Sequence, residues 1–117
     1  MNNIYTKSFL DKINQKDGIR ICVMRRFKPE YKFDMWLPKL APTEKLLIDY
    51  VKKKKISWIE FSVKYKKQIL QKQQKYIKLI IYLSKISSVT LLCWEKSPKQ
   101  CHRMLIWEEC MKYKKLN

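Results

Sequence analysis

Two short β-branched runs limit what this chain can fold into more than any other feature. They are Ile19-Arg-Ile-Cys-Val-Met24 and Val89-Thr-Leu-Leu-Cys-Trp94. Neither alternates apolar and polar residues as a strand with one wet face does. Both are therefore expected as strands covered on both sides, the pattern of a parallel sheet. Parallel strands need long crossovers, and residues 25–88 between the runs supply one with helical patterning. Residues 4–6, with Ile4 and Tyr5, make a third candidate strand. The expected fold is α/β: a small single domain over residues 1–117 with a central, mostly parallel sheet of few strands packed with helices, in two or three layers.

Local signals place the rest. Asp17-Gly18 marks a turn ahead of the first run. The segment Phe33-Asp-Met-Trp-Leu-Pro-Lys-Leu-Ala-Pro42 is rich in aromatics but carries two prolines, so it reads as a short helical turn or a packed loop over the sheet. Thr43 caps a helix that shows Leu46, Leu47, Tyr50 and Val51 on one face and ends at Lys52 to Lys55. Ser57 and Glu60 have capping-box spacing ahead of a long helix bearing Phe61, Tyr65, Ile69 and Leu70. Residues 76–86 either continue it or form another helix after a break near Lys72. A last helix is expected over residues 98–113, with Ser97 as its N-cap and Pro98 at its first position.

Composition narrows the function classes. With 117 residues, 46% hydrophobic and 13% aromatic, the chain can bury a modest core and is unlike a disordered segment. No apolar run approaches the roughly 18 residues of a membrane span, and no apolar leader block precedes the first strand. The expected setting is cytoplasmic, with no membrane partner. The formal net charge of +17 draws polyanions, although Lys supplies most of it and solubility alone is the plainer explanation. Lys52, Lys53, Lys54, Lys55, Lys64 and Lys67 form the candidate nucleic-acid face. Its binding would be non-specific, since no helix-turn-helix, zinc-finger or RNA-recognition signature is present. Cys22, Cys93, Cys101 and Cys110 include no Cys-x-x-Cys pair. With a single His, that spacing argues against a metal site. No Gly-rich phosphate loop is present, and no cofactor is expected. Cys22 and Cys93 lie inside strand runs and read as small buried hydrophobes.

Chemistry concentrates after the second run. Cys101, His102 and Arg103 fall just beyond a strand's carboxyl end and near the start of a helix. Open α/β sheets bind ligands there, and a helix N-terminus favours anions and thiolates. Arg25 leaves the carboxyl end of the other run. If the two strands are parallel neighbours, Arg25, His102 and Arg103 build an anion pocket suited to phosphate or carboxylate. Cys101 is then the candidate nucleophile and Glu95 the candidate base on the same rim. The alternative is that Cys101 packs inward like Leu105, and that Glu95 and the arginines make ordinary ion pairs. On a continuous helix adjacent residues point about 100° apart, so Cys101 and His102 are not expected to pair. Trp36 and Trp94 read as core or pocket wall before base-stacking platforms.

Several stretches carry a resemblance to a known family. They are Ile4-Tyr5, Asp17-Gly-Ile-Arg-Ile-Cys-Val23, Trp36-Leu-Pro-Lys-Leu-Ala-Pro-Thr43, Trp58-Ile-Glu-Phe61, Val89-Thr-Leu-Leu-Cys-Trp-Glu95 and Cys101-His-Arg103. Together the chain resembles the YeaO-like branch of the domain of unknown function 488 (DUF 488) over nearly its whole length. The resemblance implies the α/β fold and matches Arg25 and the Cys101-His-Arg103 triplet to the family's own, but brings no settled reaction. Members tend to follow the second strand with Asp-Arg-Leu-Trp-Pro-Arg-Gly, where this chain has Met24-Arg-Arg-Phe-Lys-Pro-Glu30. Met24 thus stands where relatives carry an acid. Two functional expectations remain. One is a small enzyme or ligand-binding domain for a phosphorylated or nucleotide-like molecule; the other is a nucleic-acid-associated protein without chemistry.

Overall fold

The run at 89–93 becomes the middle of the sheet, which is why it carries no wet side chain. In the computed structural model, which describes residues 3–97 and 100–116, four strands form one sheet among the described residues. They are β1 (Ile4–Ser8), β2 (Ile19–Cys22), β3 (Met35–Trp36) and β4 (Val89–Cys93). Their order is β1-β4-β2-β3, and every neighbouring pair is parallel. Val89 stands opposite both Ile4 and Ile19, and all five residues of β4 are buried. The expected parallel α/β sheet is what forms.

The two faces of the sheet differ. Ile4, Ile21, Val23, Val89 and Leu91 point to one side and join the helical core with Phe61, Tyr65, Ile77, Ile80, Leu105 and Ile106. On the other side Arg20 and Thr90 are buried beneath the β1–β2 connection. There Asp17, 5% exposed, accepts from Lys7 Nζ at 2.9 Å and pairs with Arg20, while its carbonyl accepts from the Thr90 hydroxyl at 2.7 Å. Gly18 follows at φ 64°, and a Cβ there would lie 2.1 Å from the Ser88 carbonyl oxygen. Both the backbone conformation and the close approach demand glycine.

The helices follow their caps. Thr43 accepts from the Leu46 amide and starts α1 (Glu44–Leu47), which runs on into a π-helical turn over Ile48–Lys52. Only part of its expected apolar face is inside: Leu46 is buried, whereas Leu47 and Val51 are exposed. Ser57 accepts from the Glu60 amide and starts α2 (Trp58–Tyr65). A second π turn, Lys66–Leu70, widens the spiral so that Ile69 and Leu70 both face the core. The chain then breaks before α3 (Gln74–Ser84), near Lys72 as expected.

Two expectations change. Met35 and Trp36 form an edge strand, because Leu37 N donates to Cys22 O and Asp34 N to Arg20 O and so lay the segment along β2; the helical turn follows at Pro38–Leu40. The last helix, α4 (His102–Leu116), begins at His102 instead of residue 98, and Pro98 lies outside the described residues. No helix among the described residues is long and apolar enough to cross a membrane.

Candidate active site

β4 and β2 are parallel neighbours, so their carboxyl ends open side by side. A cleft of about 380 Å³ lies there. Met24 and Arg25 come from the end of β2, Tyr50 and Lys52 from the π turn after α1, and Trp94 and Glu95 from the connection after β4. Cys93, Cys101 and His102 line it as well. The connection is tied down where Tyr50 OH donates to Gln100 Oε1 at 2.9 Å. Arg25 is exposed at the rim, its guanidinium donating to Pro42 O at 2.9 Å. Arg26 lies 3.8 Å from Glu44, both side chains largely in water, an arrangement that contributes little to stability.

At the floor, the Sγ atoms of Cys93 and Cys101 and a ring nitrogen of His102 lie within 4.8 Å of one another, all three residues buried. His102 Nε2 stands 2.8 Å from Val23 O. A carbonyl only accepts, so Nε2 carries the hydrogen and Nδ1 faces Cys101 Sγ at 3.9 Å. Tyr65 packs edge-on against the imidazole at 5.8 Å between centroids, its own hydroxyl donating to Leu40 O at 2.6 Å. The ring is therefore fixed on two sides.

Electrostatics separate the two sulfurs. The Cys101 thiol donates toward Cys93 and, with His102, holds the Cys93 thiol well below its usual range against the opposing cost of burial. The same hydrogen bond, together with burial, pushes the Cys101 thiol up. Glu95 is raised by burial and by the neighbouring Cys93 charge, with Arg103 and His102 working the other way. By contrast, burial takes Cys22 to about 11 and Cys110 to about 12, and neither lines the cleft.

Cys101, Glu95, His102 and Arg25 thus meet at one opening, as the parallel-strand argument requires. Arg103 does not line it. At 1% exposure it lies inside the protein, with one nitrogen donating to Cys101 Sγ at 3.5 Å and another to Lys96 O at 3.4 Å. It holds the connection from behind the lining, and its charge reaches the cleft only through its effect on Glu95 and Cys101. Contrary to expectation, Cys101 and His102 do face each other, because Cys101 precedes the helix and is not bound by its 100° step. Cys93 is the residue that sequence reasoning set aside. Its signal was its place as the last residue of a buried strand, beside the Cys101-His102 pair that follows. Lys52 reaches the rim of the cleft, while Lys53, Lys54, Lys55, Lys64 and Lys67 are exposed elsewhere.

Among known families, the one described as DUF488-N3a, Active DUF488-N3 subclade, matches residues 4–115. The match is compatible with a likeness to the YeaO-like branch and does not confirm it. No curated protein and no solved structure matches the chain.

Proposed function

This chain belongs to the DUF488-N3a family, and from that membership together with its cleft we propose a small enzyme acting on a phosphate-bearing, nucleotide-like molecule. The carrying observation is that one cleft joins a basic rim, an apolar wall and a buried thiol–imidazole floor. Its volume of about 380 Å³ lies within the range of small-molecule sites. Arg25 and Lys52 would meet the anion, Tyr50 and Trp94 would flank the apolar part of the ligand, and the floor would carry the chemistry. The family description calls the subclade active and names no reaction. A reducing, cytoplasmic setting suits a site made of free cysteines.

Calorimetric titration with inorganic phosphate and a panel of nucleoside monophosphates tests the reading. Arg25→Ala is expected to weaken binding about tenfold or more, the loss of one charge-assisted hydrogen bond, with the melting temperature lowered only slightly, because Arg25 is exposed and gives up one bond to Pro42 O. No binding by any member of the panel would refute it.

A second reading rests on the +17 charge and the exposure of Lys52, Lys53, Lys54, Lys55, Lys64 and Lys67. It is non-specific nucleic-acid binding without chemistry. Affinity for duplex and single strands would then fall about tenfold or more between roughly 50 and 200 mM salt, unaltered in Arg25→Ala. Absence of binding at the lower salt would remove it.

A further inference from the structure

We infer that Cys93, Cys101 and His102 form a metal centre for zinc or a similar thiophilic divalent ion, with its open coordination position facing the cleft. The first support is distance. Around a tetrahedral zinc, bonds of about 2.3 Å to sulfur and 2.0–2.1 Å to nitrogen put the donors roughly 3.5–3.8 Å apart. Here all three donor atoms already lie within 4.8 Å of one another, and Nδ1 of His102 is 3.9 Å from Cys101 Sγ. Closing the set needs inward shifts of about an ångström. Cys101 can supply them, because it sits in the connection ahead of α4 and not within the helix.

The second support is the orientation of the imidazole. His102 gives its Nε2 hydrogen to Val23 O at 2.8 Å, which turns Nδ1 toward the sulfurs, where a metal would take its lone pair. Metal-bound histidines are held in this way, the other ring nitrogen donating to a carbonyl or carboxylate. The third is donor type. Two thiolates and an imidazole favour zinc over magnesium or calcium, which prefer oxygen. Two thiolates also neutralise a divalent ion, so the buried site would carry no net charge.

Among the described residues the set has three protein donors and not four, which marks a site that keeps a place for water or substrate. All three line the cleft, so that place opens onto it, and Glu95 stands on the same wall. The inference rests on the cleft reading above only for what the open position serves, which is hydrolysis. A metal held by these three residues would supply a water-derived nucleophile at the cleft, and Glu95 lines the same cleft.

The test is metal uptake by chelator-stripped full-length protein, titrated with Co2+ and then with Zn2+. One ion per chain is expected, with sulfur-to-cobalt charge-transfer absorption that Zn2+ abolishes. Cys93→Ser and Cys101→Ser should each weaken uptake about 100-fold or more, beyond the 10–100-fold typical of losing an outer-shell partner. Cys22→Ser and Cys110→Ser should leave it unchanged. Where a serine variant fails to fold, alkylation mapping of the wild-type protein decides: Zn2+ should protect Cys93 and Cys101 together. Substoichiometric uptake, absorption that survives Cys93→Ser, or no protection would overturn the centre. Phosphate or nucleotide binding without metal uptake overturns the metal centre alone. Metal uptake without anion binding overturns the cleft reading alone.

Discussion

Asp17→Ala is expected to destabilise the protein by about 3–5 kcal/mol, the cost of leaving a buried charge without its partner. The guanidinium of Arg20, whose side chain is 9% exposed, pairs with Asp17, and Lys7 reaches the same carboxylate from β1, on the far side of β4. The Asn14 amide donates to it at 3.1 Å. Without the carboxylate, Arg20 keeps only its bonds to Lys32 O at 3.1 and 3.2 Å. Burial alone would raise the Asp17 pKa, but the hydrogen bonds from Lys7, Asn14 and Arg20 outweigh it and hold the group below the usual 3.8. Because the folded value is depressed, the stabilisation is fully present above the unfolded pKa near 3.9 and is lost as pH falls through the folded value. Urea midpoints of wild type and Asp17→Ala should differ most at neutral pH and converge below about pH 4. A difference that stays constant into acid would show that packing, not the ion pair, is what was lost.

Arg103→Ala is expected to cost about 2–4 kcal/mol, since it empties the space of one of the largest fully buried side chains. It also removes the donors to Lys96 O and Cys101 Sγ. One nitrogen of Arg103, Nε, is buried with no hydrogen-bond partner among the described residues, so their contacts leave this guanidinium incompletely compensated. An apolar residue of similar length should therefore recover much of the loss. Thermal melts of Arg103→Ala and Arg103→Met test this, with Met expected nearer to wild type. Cys101 should alkylate faster in both variants, because the connection before α4 has lost its tie. Equal stability of Ala and wild type would contradict the burial argument.

These two residues also show where sequence reasoning reached and where it stopped. Asp17-Gly18 was legible as a turn, because glycine beside an acid is a local signal; that its carboxylate anchors Arg20 and Lys7 was not. Arg103 was legible as a charged residue near a helix start. Its burial depends on where α4 begins, and a proline in the vicinity pointed four residues too early. The edge strand at Met35–Trp36 is two residues long, and only its pairing to β2 defines it. No propensity window can see so short an element.

The sequence by itself determined the parallel α/β sheet, the buried central strand, the caps at Thr43 and Ser57, and the opening at the strand carboxyl ends. Each follows from side-chain chemistry within a few residues, or from the handful of ways buried strands can be joined. The tertiary structure alone decided that Cys93 joins Cys101 and His102, that Arg103 turns inward, and that Arg25 stays at the rim. Those outcomes depend on contacts across the sheet and on the path of one connection. They are set by distances of a few ångströms that no local pattern of residues encodes.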